Sequence, residues 1–481
     1  MRKRTLDKGF TASIEALRGR PCGEVLDGLV TSLENDEPTV AIRINTRKAD
    51  ALPLRPVPWS LGGYYIDGER PRFTFDPALH QGLYYVQDPS SMVIGRIAGA
   101  LSSAAFGGEP IIYIDACAAP GGKTTAAINA LPNGSLVIAN EFDRRRAEVL
   151  VENIVKWGYP DVVVTQGDTA KFAGLGPVAD IVAADVPCSG EGMMRKEDAA
   201  IEQWSAGLVA QCAALQRTII DNMWKALRPG GFFIYSTCTF NHSENEENLA
   251  YIVEELGGIP QELRQMTGGC GQIAGAIDSP YPAARFIPGR TEGEGLFVAV
   301  VRKPLADTGG TPDTPKGKHK DVRTPKGKTA AKPSAVPPEI KSWTNADGYT
   351  LAVDGDRITA LPESRLPLIS DIRKKLNVIY AGTEVAVMKG REYIPSQALA
   401  LSAIAAPGTF PEAEVDYATA MQYLGRQAVT LDDAPKGIVL LTYRHRPLGF
   451  VKNLGNRANN LYPQGWAIRS THVPDNAPDL I

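Results

Sequence analysis

Two cysteines stand where a reactive thiol could work. One lies in Asp185-Val186-Pro187-Cys188-Ser189-Gly190-Glu191-Gly192 and the other in Tyr235-Ser236-Thr237-Cys238-Thr239, each closing a β-rich run. Two thiols beside an acid suit attack on an electrophilic ring by one and proton handling by the other. The scattered Cys22, Cys212 and Cys270 read instead as small buried core residues. Upstream, an apolar run ends in Asp115-Ala116-Cys117-Ala118-Ala119-Pro120-Gly121-Gly122-Lys123-Thr124. A strand, a glycine turn and a helix in that order form the nucleotide-binding turn of a Rossmann-like sheet, where glycine lets the backbone approach a ligand. The turn is neither Gly-x-Gly-x-x-Gly nor a P-loop, because the upstream glycine is missing. The next strand ends at Glu141, 20 residues past Gly121, the usual spacing for an acid that grips ribose hydroxyls. Asp168 closes a third strand in the same way.

The elements that must position these residues alternate. Runs at 111–115, 135–140, 162–165, 180–184, 231–236 and 295–301 read as strands, with helical stretches between the first five. The most periodic helix places Leu208, Cys212, Leu215, Ile219, Met223 and Leu227 on one face. Such alternation predicts a doubly wound parallel sheet, and ligands bind at the carboxyl ends of its strands. Both Cys188 and Cys238 should therefore face the crevice that holds the cofactor. Before this region, 11–34 reads as helical and 39–45 as a strand; after it, 437–443 and 449–452 are short strands of an α+β or barrel-like module.

Between these bodies, 304–338 is Pro-, Gly-, Thr- and Lys-rich and carries Thr-Pro-Lys-Gly-Lys twice, at 314–318 and 324–328. Such a stretch cannot bury enough surface to offset its ordering entropy, so it reads as a disordered basic linker, either a solvated tether or a phosphate-gripping one. The whole chain has 481 residues, 43% hydrophobic and 22% charged, enough for more than one core. Lys and Arg number 51 against 54 Asp and Glu, so any nucleic acid is held by a local patch rather than by bulk charge. The six cysteines form no Cys-x-x-Cys pair and the five histidines do not cluster with them, which argues against zinc and for a reducing, cytoplasmic setting. The basic start Met1-Arg2-Lys3-Arg4 is followed by no apolar run, and no stretch has the ~18 apolar residues of a membrane helix.

Smaller features carry two readings each. Asp88-Pro89 is a helix start or a cofactor contact, and Arg144-Arg145-Arg146 a solvated face or a phosphate contact. Ser243-Glu244-Asn245-Glu246 reads as a capping box that positions the Cys238 loop. Arg444-His445-Arg446 with Lys452, Asn453, Arg457 and Tyr462 is a solvated hairpin or a surface for RNA backbone and stacking contacts.

The three motifs, in this order, closely resemble those of the RNA cytosine-C5 methyltransferases of the Sun/RsmF type. Supporting matches are Arg43-Ile44-Asn45-Thr46, Val86-Gln87-Asp88-Pro89-Ser90-Ser91-Met92 and the closing run 295–303. The resemblance covers ~40–303, and Tyr393-Ile394-Pro395-Ser396-Gln397 and Gly449-Phe450-Val451-Lys452-Asn453 extend it toward the RsmF branch, which modifies small-subunit ribosomal RNA. It implies an α/β fold: a Rossmann-like S-adenosylmethionine-dependent methyltransferase sheet over 106–303, an N-terminal α+β RNA-binding region over 1–105, and a C-terminal PUA-like α+β module over 339–481. It implies Cys238 as the nucleophile at carbon 6 of cytosine, Cys188 as the thiol that assists release, and Asp185 as the group on the ring nitrogen and amino group. By the same carry-over, Cys117, Ala118, Ala119, Pro120, Gly121, Gly122 and Lys123 form the S-adenosylmethionine loop, Glu141 holds the ribose, and Asp168 and Asp185 complete the pocket. No metal is implied. The partner is small-subunit ribosomal RNA or the subunit itself, met by a monomer in the cytoplasm without a membrane. The lowered thiol pKa that Cys238 needs would come from the bound sulfonium, Lys123 or a helix start. One departure is Gly289 in Arg285-Phe286-Ile287-Pro288-Gly289, where the family usually has His. The same chemistry on transfer RNA, a non-catalytic ribosome-assembly factor, and a DNA cytosine methyltransferase using the Pro-Cys thiol are the rival readings.

Overall fold

In a computed structural model of the chain, residues 3–305, 336–345, 347–470, 472–478 and 480–481 are described. Both Thr-Pro-Lys-Gly-Lys repeats and most of the expected linker lie outside them.

The amino-terminal helical stretch is broken rather than continuous. Asp7 caps Lys8–Arg18 by accepting from the Gly9 and Phe10 N–H groups, and Phe10, Ile14 and Leu17 form its buried stripe. Pro21 cannot donate to a helix ladder, and Cys22 (φ 61°) and Gly28 (φ 82°) turn the backbone left-handed. A short 3₁₀ turn, Gly23–Leu26, and a second helix, Leu29–Asn35, follow. Strands β1 (Ala41–Ile44), β2 (Gly63–Tyr65) and β3 (Tyr84–Val86) then form a small antiparallel sheet with β1 in the middle.

The central sheet contains β4 (Ile112–Asp115), β5 (Leu136–Glu141), β6 (Val162–Gln166), β7 (Ala179–Asp185), β8 (Leu227–Thr237), β9 (Ile259–Pro260), β10 (Ala284–Phe286) and β11 (Leu296–Arg302). The five strands β8-β7-β4-β5-β6 run parallel, and β11 and β10 continue antiparallel beyond β8. Strand order reverses at β4, between β7 and β5, so the crevice for a ligand opens past Asp115 and Asp185. Apolar layers cover both faces of the sheet, as the near-continuous Val, Ile and Ala runs of buried parallel strands require.

The periodic helix spans Ala206–Ala226, but burial begins at Gln216; Leu215 is 48% exposed and Leu227 already belongs to β8. Only its carboxy-terminal half lies against the sheet.

After the undescribed stretch come β12 (Tyr349–Asp354), β13 (Arg357–Pro362), β14 (Val378–Ala381), β15 (Thr383–Lys389), β16 (Glu392–Pro395), β17 (Glu412–Glu414), β18 (Gly437–Tyr443), β19 (Arg446–Asn453) and β20 (Ala458–Asn460). They build two four-stranded sheets, β12-β13-β15-β16 and β17-β18-β19-β20. Arg444 and His445, both at positive φ, make the two-residue turn between β18 and β19 that a tight hairpin requires. β14 leaves both sheets and pairs antiparallel with β6, so the later chain covers an edge of the catalytic sheet that would otherwise expose unpaired N–H and C=O groups. Among the described residues no helix is long and apolar enough to cross a membrane.

Candidate active site

The glycine turn after β4 is fixed from several sides. Gly121 (φ 112°) begins the helix Gly122–Ala130, and a Cβ on Gly122 would stand 3.2 Å from Tyr85 Cε1 and 3.4 Å from Gln87 Nε2. Thr124 Oγ1 donates to Asp115 Oδ2 at 2.7 Å, and burial pushes the Asp115 carboxyl up to about 7. Burial also pushes the Cys117 thiol well up, with Asp115 and Asp185 acting in the same direction. The buried guanidinium of Arg43 donates to Gln87 Oε1 (2.8 Å), to the Gly122 carbonyl and to Thr125. It thereby pins the amino-terminal sheet to the turn. Asn140 donates to the carbonyls of Ala116 and Gly167, both at 3.1 Å, and so ties the loops after β4, β5 and β6 together.

Arg144, Arg145 and Arg146 all lie on an exposed face, but Arg146 also reaches back to the turn. Its Nη2 donates to the Ala119 carbonyl at 2.8 Å and its Nη1 lies 3.5 Å from Glu141 Oε1, whereas Arg144 is exposed and pairs only with Glu148. Glu141 is 3% exposed; its Oε1 accepts from the Asp143 N–H, and its Oε2 is buried with no partner. Asp168 is exposed and accepts from the Ala170 N–H at 2.8 Å, which starts a 3₁₀ turn.

A cavity of about 290 Å³ opens beside the turn. Cys117, Ala118, Ala119, Pro120, Gly122, Lys123 and Asp185 line it, together with Tyr85, Gln87 and Asp88. Gly121, Glu141, Asp168, Cys188 and Cys238 are not among its lining residues. Asp88 acts as a turn start: Oδ2 accepts from the Ser91 N–H at 3.0 Å and Oδ1 from the Glu294 N–H at 2.8 Å, and the residue lines the cavity.

Strand register sets the other half of the site. Asp185 on β7 pairs with Ser236 on β8, so the loops carrying Cys188 and Cys238 leave the sheet side by side. The two sulfurs lie 3.2 Å apart. Ser236 Oγ and Lys123 Nζ donate to the two oxygens of Asp185, each at 2.8 Å. The Cys188 thiol is pushed well up by its hydrogen bond with Cys238, then by burial. Burial works against the Lys123 ammonium, but Asp185, Cys238 and Asp88 together raise its pKa.

A frame of buried carboxylates holds these loops. Glu191 accepts from the Phe240 N–H (2.6 Å), the Asn241 N–H (3.1 Å), Asn241 Nδ2 (3.0 Å) and Trp204 Nε1 (3.0 Å). Glu244 accepts from the Ser189 N–H and hydroxyl on one loop and from Asn241 Nδ2 on the other. The Gly192 N–H donates to the Cys238 carbonyl at 2.7 Å, and a Cβ there would stand only 2.6 Å from that oxygen. The capping box does not form. The helix Glu246–Glu254 has Asn245 at its N-cap without a capping bond, because the Asn245 side chain turns to the Thr237 hydroxyl and the Thr239 carbonyl, while Glu246 turns inward to Arg285. Arg285 in turn donates to the Phe240 carbonyl at 2.9 Å.

Gly289 (φ 88°) lies against Gly28 and Ser32 of the amino-terminal region, not against the cavity. The carboxy-terminal cluster is dispersed. Tyr462 is 1% exposed and packs on Tyr423, Asn453 is buried, and Arg446 donates to the Lys48 carbonyl, so Tyr462 is closed to base stacking. Sequence reasoning gave no role to Asn140, and it placed Glu191, Glu244, Arg285 and Arg43 only inside quoted motifs, without the inward contacts they make. The expectation that Ser243–Glu246 positions the Cys238 loop is met by Glu244, through bonds other than a cap.

The profile of the family described as 16S rRNA methyltransferase RsmB/F matches 108–302. The profile of the N-terminal domain of 16S rRNA methyltransferase RsmF matches 6–89, and that of the methyltransferase RsmF PUA domain matches 410–468. A ribosomal RNA small subunit methyltransferase F of Klebsiella pneumoniae is 32% identical over 443 residues, which is 88% of this chain and 89% of that one. The protein of the same name from Escherichia fergusonii is 32% identical over 448 residues with the same coverage. Among solved structures, NSun6 from Pyrococcus horikoshii with SFG is 23% identical, covers 62% of this chain and 98% of its own, and has a TM-score of 0.51, a likeness of fold.

Proposed function

Starting from the RsmB/F family of 16S rRNA methyltransferases, to which this chain belongs, we propose that it transfers a methyl group to carbon 5 of a cytosine in small-subunit ribosomal RNA through a covalent cysteine–cytosine adduct. The observation that carries this reading is the 3.2 Å contact between Cys188 and Cys238 at the ends of adjacent strands, beside Asp185.

The residues present fit S-adenosylmethionine. Glu141 offers a buried, unpartnered carboxylate oxygen to ribose hydroxyls, and Gly122 leaves backbone room that a side chain would fill. Cys117 to Lys123, with Glu141, Asp168 and Asp185, would hold the cofactor, which when bound supplies an electrophilic methyl group on a sulfonium. Cys238 does the work on the base. Its thiolate bonds to carbon 6, breaks the aromaticity and makes carbon 5 enamine-like, which unactivated cytosine lacks. Asp185, held by Lys123 and Ser236, faces the ring nitrogen and amino group and balances charge on the adduct. After a solvent base takes the carbon-5 proton, Cys188 assists release as the carbon 6–sulfur bond breaks with its electrons returning to Cys238. Lys123 supplies a positive charge near that thiolate. The target base leaves any helix at a cost of a few kcal/mol, least for a loop nucleotide. The amino-terminal region and the PUA match at 410–468 would bind flanking RNA.

The test is to isolate Cys188→Ala from cells and sequence RNA attached to it. A nuclease-sensitive adduct with ribosomal sequence, absent from the Cys188→Ala/Cys238→Ala double variant, is expected. An adduct on Cys238→Ala instead would exchange the two roles, and transfer RNA in the adduct would replace the substrate.

A further inference from the structure

A larger cavity, about 430 Å³, lies at the other end of the central sheet, where chain enters β5 and β6 at Gly134 and Asp161. Three parts of the molecule meet there: Arg47 and Lys48 of the amino-terminal region, the helix end at Trp157, and the later chain at Leu401 and Arg446.

Its charge is one-sided. Among the described residues, Lys48 Nζ donates only to backbone carbonyls, those of Gln81 at 3.1 Å and Lys156 at 2.8 Å. Arg446 Nη1 donates to the carbonyl of Lys48 itself at 2.5 Å, which sets the two cations side by side. Arg47 donates to Asn133 and to the carbonyls of Ile128 and Leu131. Thus all three cations rest on neutral oxygens. The one carboxylate lining the cavity, Asp161, accepts from the Tyr349 hydroxyl at 2.8 Å. Burial pushes the Lys48 ammonium down to about 7, and Arg446 pushes the same way. Arg47 and Arg446 are exposed and Lys48 is half-buried, and an anionic ligand would offset the partial desolvation of the Lys48 ammonium.

The remaining wall is apolar. Half-buried Tyr349, together with Leu401 and Pro447, contributes to it, while Trp157 and Tyr159 stand behind with their rings under the guanidinium groups of Arg43 and Arg47. The volume exceeds what a bare oxyanion fills and falls in the range of small-molecule sites. We propose that this cavity is a second ligand site, distinct from the methyl-transfer site, which takes a nucleoside phosphate: the phosphate on Lys48 and Arg446, the base against Tyr349. The ligand is either a free mononucleotide or one nucleotide of a bound RNA strand, since both present the same groups.

The test is calorimetric titration of the full chain with cytidine monophosphate, with the cofactor site first saturated by S-adenosylhomocysteine. One saturable site is expected. Arg446→Gln, at an exposed position, should weaken binding at least tenfold, and Ala403→Trp should block it by filling the cavity, while S-adenosylhomocysteine affinity stays unchanged in both. Displacement of the nucleotide by a short single-stranded RNA assigns the site to an RNA nucleotide; no displacement assigns it to the free one. Absence of saturable binding, or binding that both variants leave intact, overturns the proposal. A failed cysteine-trapping experiment would leave this result untouched.

Discussion

Replacing Glu191 by Gln should cripple turnover while leaving the cofactor turn intact. In the native site, one carboxylate oxygen takes the Phe240 and Asn241 N–H groups and the other takes Asn241 Nδ2 and Trp204 Nε1. A glutamine keeps the shape but turns one oxygen into an NH₂ group, so in either orientation two donors face a donor. A hydrogen bond to a charged group contributes about 1.5–3 kcal/mol, so losing two removes about 3 kcal/mol even at the low end. The affected loop begins at Cys238, and its cheapest relaxation is to move those N–H groups toward water. That motion opens the contact between the two sulfurs. At ~1.4 kcal/mol per factor of ten, kcat should fall about a hundredfold. The KM for S-adenosylmethionine should be unchanged, because Glu191 makes no bond to the glycine turn. The assay is single-turnover transfer of labelled methyl to ribosomal RNA, with adduct yield in the Cys188→Ala background as a second readout. A kcat within threefold of wild type, with only the unfolding midpoint lowered, would refute a positioning role for Glu191.

Three other outcomes follow from the same structure. Arg285→Met strands the Glu246 carboxylate, both side chains being 1% exposed, and should cost about 3–5 kcal/mol in urea unfolding, with part regained when Glu246 is also made apolar. Gly192→Ala places a methyl 2.6 Å from the Cys238 carbonyl and 2.8 Å from that of Glu294; both are backbone, so kcat should drop while calorimetric cofactor affinity holds. His80 is buried, and burial followed by Lys156 pushes its imidazole down to about 3. The unfolded chain takes up that proton near 6.5 and the native chain does not, so stability is full above 6.5 and is lost as pH falls from 6.5 toward 3. By pH 5 the loss is about 2 kcal/mol, and His80→Gln should show a correspondingly shallower acid slope in denaturant titrations.

What the sequence made legible was local. Apolar runs ending in Asp115, Glu141 and Asp185 announce strands because alternation and turn chemistry act over a few residues, and the ends of those strands are where a doubly wound sheet keeps its ligands. The partners of buried charges were illegible for the opposite reason. Arg285 and Glu246 are 39 residues apart and Arg43 and Thr125 82, and nothing near any of them says that a charged side chain points inward. Ser243 to Glu246 shows the failure in reverse: a capping pattern was present, but the pull of a buried guanidinium outweighed a surface cap. Tyr462 looked like a stacking surface because an aromatic among cations fits one; its ring instead fills the core beside Tyr423. β14 is four residues long and could not name its partner strand.

The frame around the two thiols also explains why such costly groups persist. Apolar side chains could hold two loops together at least as firmly, since buried ion pairs are often no better for stability than hydrophobic replacements. They could not set direction. A carboxylate that receives four N–H groups fixes the course of the chain through Phe240 and Asn241, and Glu244 fixes Ser189 in the same way on the facing loop. Register adds the third constraint, because Asp185 opposite Ser236 starts both loops at one level. With those three fixed, the sulfurs have little choice of position, and 3.2 Å is what remains. Each thiol then stands within hydrogen-bond reach of the other. That juxtaposition, rather than the presence of two cysteines, is what the proposed mechanism needs. It follows that repositioning either loop should impair the adduct's release as well as its formation.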